Sequence, residues 1–279
     1  MRWLGRRESS NVDDRRGIGG GGLIAGGGIG AVVIGILYLL LGGNPSDLPV
    51  QNLQPGSQTA APRSAEEEKL ASFSKVVLAD TEDVWDQVFK ENGSQYTPPT
   101  MVLFTDQTRS GCGFSSAATG PFYCPSDEQV YLDLSFFNEL SERFKAPGEF
   151  AMAYVIAHEV GHHIQKLTGT FDAMERQRGQ LSEKEYNRLS VKVELQADFY
   201  AGVWANRAQK MKQILEEGDI ASALNAANAI GDDRLQMQSQ GYVVPDAFTH
   251  GTSQQRMYWF KKGFETGDMR QGNTFTENR

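Results

Sequence analysis

The chain has 279 residues, 39% of them hydrophobic, with 27 Lys+Arg against 35 Asp+Glu and two cysteines. That length allows one or two domains with a sizeable buried core. A formal charge of −8 argues against a protein that binds nucleic acid by neutralising phosphates, and two cysteines exclude a disulfide-dense miniprotein or a four-cysteine zinc site.

Residues 1–16 form a basic N-terminal segment, in which Arg2, Arg6, Arg7, Arg15 and Arg16 outnumber Glu8, Asp13 and Asp14. From Gly17 to Ser46 there is no charged residue, and twelve of the 30 glycines fall between Gly17 and Gly43. The densest apolar run is Ile29 to Leu41. A helix over 18–41 would be about 36 Å long, enough to cross a hydrocarbon core. A cleaved signal peptide is the rival reading, but Tyr38-Leu-Leu-Leu-Gly-Gly-Asn-Pro45 offers no small-x-small cleavage site. We therefore expect a single transmembrane helix over 17–42. The arginines place residues 1–16 in the cytoplasm and send the remainder outward. Gly22, Gly26 and Gly30 recur every fourth residue. Two spans could pack on that face as a weak homodimer, although glycine-rich spans also stay monomeric.

Residues 43–63 read as a linker by composition, and residues 64–279 as the functional domain. Ser64 and Glu67 make a capping box that opens a helix carrying Leu70, Phe73 and Val77. A second helical pattern runs through Val84, Trp85, Val88 and Phe89 and stops near Asn92-Gly93. Short strands are expected at 101–104 and 129–133. Further helices are expected at about 135–144, 148–167, 182–217, 219–230 and 252–265. The fold class is α+β, mostly helical, with a small sheet. Strand 129–133 could be an edge that pairs with an extended peptide, or it could merely complete a sheet. Cys112 and Cys124 lie in the glycine- and serine-rich connection between the strands, where a disulfide is the default in an oxidising compartment.

The chemistry concentrates in Ala-His158-Glu159-Val-Gly-His162-His163. His158 and His162 are four residues apart, so both imidazoles leave one helical face and can reach one ion. Glu159 cannot easily bind the same ion, but it can take a proton from a water held there. His163 lies roughly 140° off the ligand face and is excluded as a ligand. The apolar residues before the motif imply burial, and buried imidazoles need partners. A metal-free hydrogen-bonded cluster is the competing account.

Two histidines leave a catalytic zinc one protein ligand short. Glu194 is the candidate third ligand, and Asp198, one turn on, is placed to accept the spare N–H of a ligand histidine. A solvated surface pair is the alternative for Glu194 and Asp198. His250 precedes a helix capped by Thr252. It could donate to an oxyanion, or it could simply pin the turn. Tyr154 and Tyr200 are weaker donor candidates, and core packing suits both.

With His158-Glu-Val-Gly-His162 followed by Glu194-Leu-Gln-Ala-Asp198, the sequence resembles the Glu-zincin pattern. Over its whole length, including the glycine-rich span and Phe248-Thr-His250-Gly-Thr-Ser-Gln-Gln-Arg256-Met-Tyr-Trp-Phe260, it resembles the bacterial neutral zinc metallopeptidases, the YpfJ-like family. The resemblance implies a membrane-tethered zincin-like peptidase with one zinc ion, His158, His162 and Glu194 as ligands and Glu159 as base. The expected activity is hydrolysis of a peptide or protein substrate outside a bacterial inner membrane. A catalytically lapsed binding or scaffold module, and a zinc hydrolase acting on other amides, are the alternatives.

Overall fold

Where the sequence pattern suggests two helices, the chain builds one: α1, Ala65–Glu91, runs unbroken for 27 residues. Ser64 caps it by accepting the Glu67 N–H at 3.1 Å. The polar residues in its middle look like a break, yet they are buried and bonded. Asp80 pairs with Lys212 at 2.9 Å and with Arg6 at 2.5 Å, while Thr81 donates to the Leu78 carbonyl at 2.7 Å. The computed structural model describes residues 1–17, 63–105, 107–116 and 120–276.

A four-stranded sheet contains β1 (Val12–Asp14), β2 (Thr100–Phe104), β5 (Phe122–Cys124) and β6 (Gln129–Asp133). The spatial order is β1-β2-β6-β5, with β1, β2 and β6 mutually parallel and β5 antiparallel to β6. The strand at 129–133 is therefore interior, and the edge belongs to β5. A separate hairpin pairs β3 (Gln107–Ser110) with β4 (Gly113–Ser116). A disulfide between Cys112, at the hairpin turn, and Cys124 at the end of β5 ties the hairpin to that edge, with an S–S distance of 2.12 Å.

The further helices are α2 (Phe136–Glu142), α3 (Glu149–Leu167), α4 (Thr170–Arg178), α5 (Glu183–Lys212), α6 (Asp219–Ala229), α7 (Asp232–Gln240) and α8 (Ser253–Thr266), of which α3 packs against β5 and β6 and also against α5. The capping box at Ser182 and Glu185 starts α5, and Gln213 in a left-handed conformation ends it short of the expected residue 217. Helix α4 has no buried residue and α7 buries only Asp232, so neither leaves an apolar period in the sequence.

Two glycines let the helices approach. A Cβ on Gly161 of α3 would lie 2.9 Å from the Ala197 carbonyl oxygen of α5, and one on Gly202 would lie 2.1 Å from that of Phe260 in α8. The core around these contacts contains Trp85, Trp204 and Trp259, all fully buried.

The chain divides into two compact units, Met1–Arg15 with Ser64–Arg279, and Arg16–Arg63. Within the first unit, Trp3 packs edge-on against Phe73 of α1 at 5.4 Å. Arg7 pairs with Glu82 and Asp83, and the Arg2 N–H donates to the Ile214 carbonyl at 2.8 Å. Residues 1–15 are thus not a segment apart from residues 64–279: they hold a strand of the same sheet. One crossing between residues 15 and 64 would put paired strands on opposite faces of a bilayer. The expected transmembrane helix and the Gly22-Gly26-Gly30 face lie outside the described residues, as does the expected linker except for Arg63. Among the described residues, no helix is long and apolar enough to cross a membrane.

Candidate metal centre

The close approach at Gly161 sets α3 beside α5, so that one turn of each supplies side chains to a shared point. His158 and His162 face Glu194, with His158 Nε2 3.1 Å from Glu194 Oε2 and His162 Nε2 3.5 Å from Glu194 Oε1. One ligand atom from each of the three lies within 4.8 Å of the others. Both histidines are buried, and the Glu194 side chain is only 16% exposed.

The far side of each ring decides what this cluster can hold. His158 Nδ1 donates to Asp198 Oδ1 at 2.8 Å. Gln165 donates its amide to the Val193 carbonyl and to Gln196, leaving its oxygen to accept from His162 Nδ1 at 2.8 Å. With both Nδ1 atoms acting as donors, both Nε2 atoms present lone pairs. Two lone pairs then converge on a carboxylate, an arrangement of acceptors that requires a cation or extra protons between them. The donor set of two imidazoles and one carboxylate fits zinc with a vertex left open.

The electrostatics point the same way. Burial would keep the His158 ring neutral, but Asp198 and then Glu194 outweigh it and push its proton affinity up to about 10. Glu194 is held well below the ordinary carboxylate range, with His162 and His158 overcoming burial. Asp198 sits at about 2 because Arg256 and His158 overcome its complete burial. Arg256 grips Asp198 with Nε at 2.8 Å and Nη2 at 3.1 Å, and the Tyr154 hydroxyl donates to the same carboxylate at 2.5 Å. Asp198 and Arg256 neutralise each other, so the carboxylates left facing the cavity are Glu194 and Glu159. Burial raises the Glu159 carboxyl above its usual range, against His158 and His162.

A cavity of about 560 Å³ opens on this cluster. Glu159 and His250 border it, as do the apolar side chains of Phe122, Phe136, Val155, Phe171, Ile230 and Leu235. Asp232 Oδ2 accepts three backbone N–H bonds, from Thr249, His250 and Gly251, and Asp232 Oδ1 lies 3.3 Å from His250 Nδ1. That contact raises His250 above its ordinary value, opposed by burial.

The fold thus brings His158, Glu159, His162, Glu194 and His250 to one cavity, with Asp198 buried behind His158. His163 points elsewhere, as its angular offset requires. Tyr154 belongs to the Asp198 network, whereas Tyr200 is a core residue stacked edge-on against Trp85. Sequence reasoning assigned no role to Gln165, Asp232, Arg256 or Tyr123. Gln165, three residues after His162, and Arg256, four before the buried Phe260, could have been found as polar groups on buried helical faces. Asp232, the first residue of α7, and Tyr123, within the three-residue β5, come from other elements, and no spacing rule reaches them.

The comparisons agree with this site. A family model described as "Putative neutral zinc metallopeptidase" matches residues 1–275. The chain is 50% identical over 284 residues to the uncharacterized protein YpfJ of Escherichia coli (strain K12), covering 99% of both. It is 43% identical over 201 residues to the uncharacterized protein Mb2605 of Mycobacterium bovis, covering 68% of this chain and 67% of that one. No solved structure matches.

Proposed function

Because the chain belongs to that family of neutral zinc metallopeptidases, we propose that it hydrolyses peptide bonds, with zinc held by His158, His162 and Glu194. The observation that carries this reading is the convergence of two imidazole lone pairs on the Glu194 carboxylate. Zinc, when bound, supplies a Lewis acid that polarises the scissile carbonyl and acidifies water.

Glu159 takes the proton of the attacking water and passes it to the leaving amine. Its raised carboxyl suits a group that must work in both directions near neutral pH. Asp198 fixes the His158 tautomer, and Arg256 holds Asp198 in place. His250, whose ring contacts Asp232, donates to the oxygen on which negative charge develops. Among the described residues β5 pairs with β6 alone, so its other side is available to an extended peptide, whose apolar side chains enter the cavity between Val155, Ile230 and Leu235.

The test is Glu159→Gln in the full chain. Zinc content should stay at the wild-type level while peptide turnover falls by about 10²–10⁴. Unchanged turnover would remove Glu159 as the base, and a zinc-loaded wild type that turns over no peptide would leave a binding module. The uncharged stretch 17–46 supports attachment to a membrane. The β1–β2 pairing supports placing residues 1–15 and 64–279 together on one face, and the Cys112–Cys124 disulfide favours the extracytoplasmic one.

A further inference from the structure

His163 is fully buried beside the metal-binding face of α3 and contributes nothing to it. Its ring is nevertheless completely engaged. Nε2 lies 2.7 Å from the Thr97 carbonyl oxygen, which can only accept, so the ring proton sits on Nε2. Nδ1, 3.0 Å from the Tyr123 hydroxyl, must then accept from it. Tyr96 closes the ring in edge-on at 6.0 Å.

Tyr123 is the middle residue of β5, the strand at the free edge of the sheet, and it lines the cavity. Glu159 lines the same cavity. Glu159 and His163 are four residues apart, on one face of α3. The same helical face therefore presents Glu159 to the cavity that Tyr123 lines and holds the Tyr123 hydroxyl through His163.

We propose that His163 is a positioning residue, which through the Tyr123 hydroxyl fixes β5 against α3 and so sets the edge on which the peptide lies. This rests on the peptidase reading above, with β5 as the peptide-binding edge. The Thr97 carbonyl anchors the relay from the loop before β2, so the clamp reaches both ends of the segment that carries β5.

The test compares two zinc-directed compounds on the zinc-loaded full chain. Acetohydroxamate reports on the metal alone, and an N-acyl dipeptide hydroxamate also lies along the strand. In Tyr123→Phe, which removes one hydroxyl and keeps the ring, acetohydroxamate should bind as in wild type. The peptide compound should bind about tenfold more weakly. His163→Asn should show the same selective loss, and the double variant should lose no more than either single one, because both break one relay. Equal binding of the peptide compound to wild type and Tyr123→Phe overturns the inference, whether or not His163→Asn folds. A wild-type protein that binds the two compounds equally removes the peptide edge itself, and the inference with it.

Discussion

Asp198 stands 2.8 Å behind His158, on the opposite side of the imidazole from Glu194. The carboxylate fixes which nitrogen carries the proton, and hence which nitrogen offers a lone pair to a cation. Asp198→Asn preserves the size of the side chain and removes the charge. Zinc affinity should fall by about 10–100-fold, measured by competition with a chromogenic chelator. The variant should also unfold more easily, since Arg256 would be left buried without its counter-charge.

The His250–Asp232 pair has a defined pH window. His250 is raised by its contact with Asp232, so its stabilising contribution is complete below its unfolded value of roughly 6.5 and is lost as pH climbs through the folded value. Asp232 is lowered, because His250 and the backbone bonds outweigh burial, so its contribution is present above roughly 4 and is lost on acidification. The pair therefore stabilises only between these limits. NMR titration of the zinc-loaded protein should place His250 above the usual imidazole range. Asp232→Asn should return it toward that range, and an unmoved titration would show that the contact does not govern the ring.

Trp3 tests the placement of the N-terminal segment. Its ring is 5% exposed against Phe73, so Trp3→Ala should cost about 3–5 kcal/mol in urea unfolding of the full chain. A chain whose first residues lay across a bilayer from the domain would show no such loss.

Gly161→Ala probes the helix contact that assembles the ligands. The added Cβ would meet the Ala197 carbonyl oxygen at 2.9 Å and push α3 from α5. Stability should fall by about 1–3 kcal/mol, with weaker zinc binding. Gly179→Ala, where a Cβ meets nothing within 4 Å, is the matched control and should change stability by less than about 0.5 kcal/mol.

The helices that bury an apolar stripe were legible in the sequence, as were the ligands spaced one turn apart within them. The 3.6-residue period marks both burial and shared direction. What escaped had no such period. Helices α4 and α7 bury almost nothing, and β1 is the three-residue sequence Val-Asp-Asp. The five arginines before residue 17 read in the sequence as a topology signal. Arg6 and Arg7 pair with acids on α1, which composition cannot distinguish from charges awaiting a membrane. Similarly, the sequence left open whether Gln129–Asp133 was an edge or completed a sheet, because one strand's alternation says nothing about its neighbours, and β5 is only three residues long.

The position of β1 also constrains how the molecule is made. Its partner β2 emerges from the ribosome more than eighty residues later, after the whole uncharged stretch. The opening residues must wait, unpaired, while that apolar segment is already exposed to whatever captures it. Any machinery that drew the segment away and kept residues 1–15 behind would leave the nascent sheet without its first member. Biogenesis of this protein is thus a race between capture and closure.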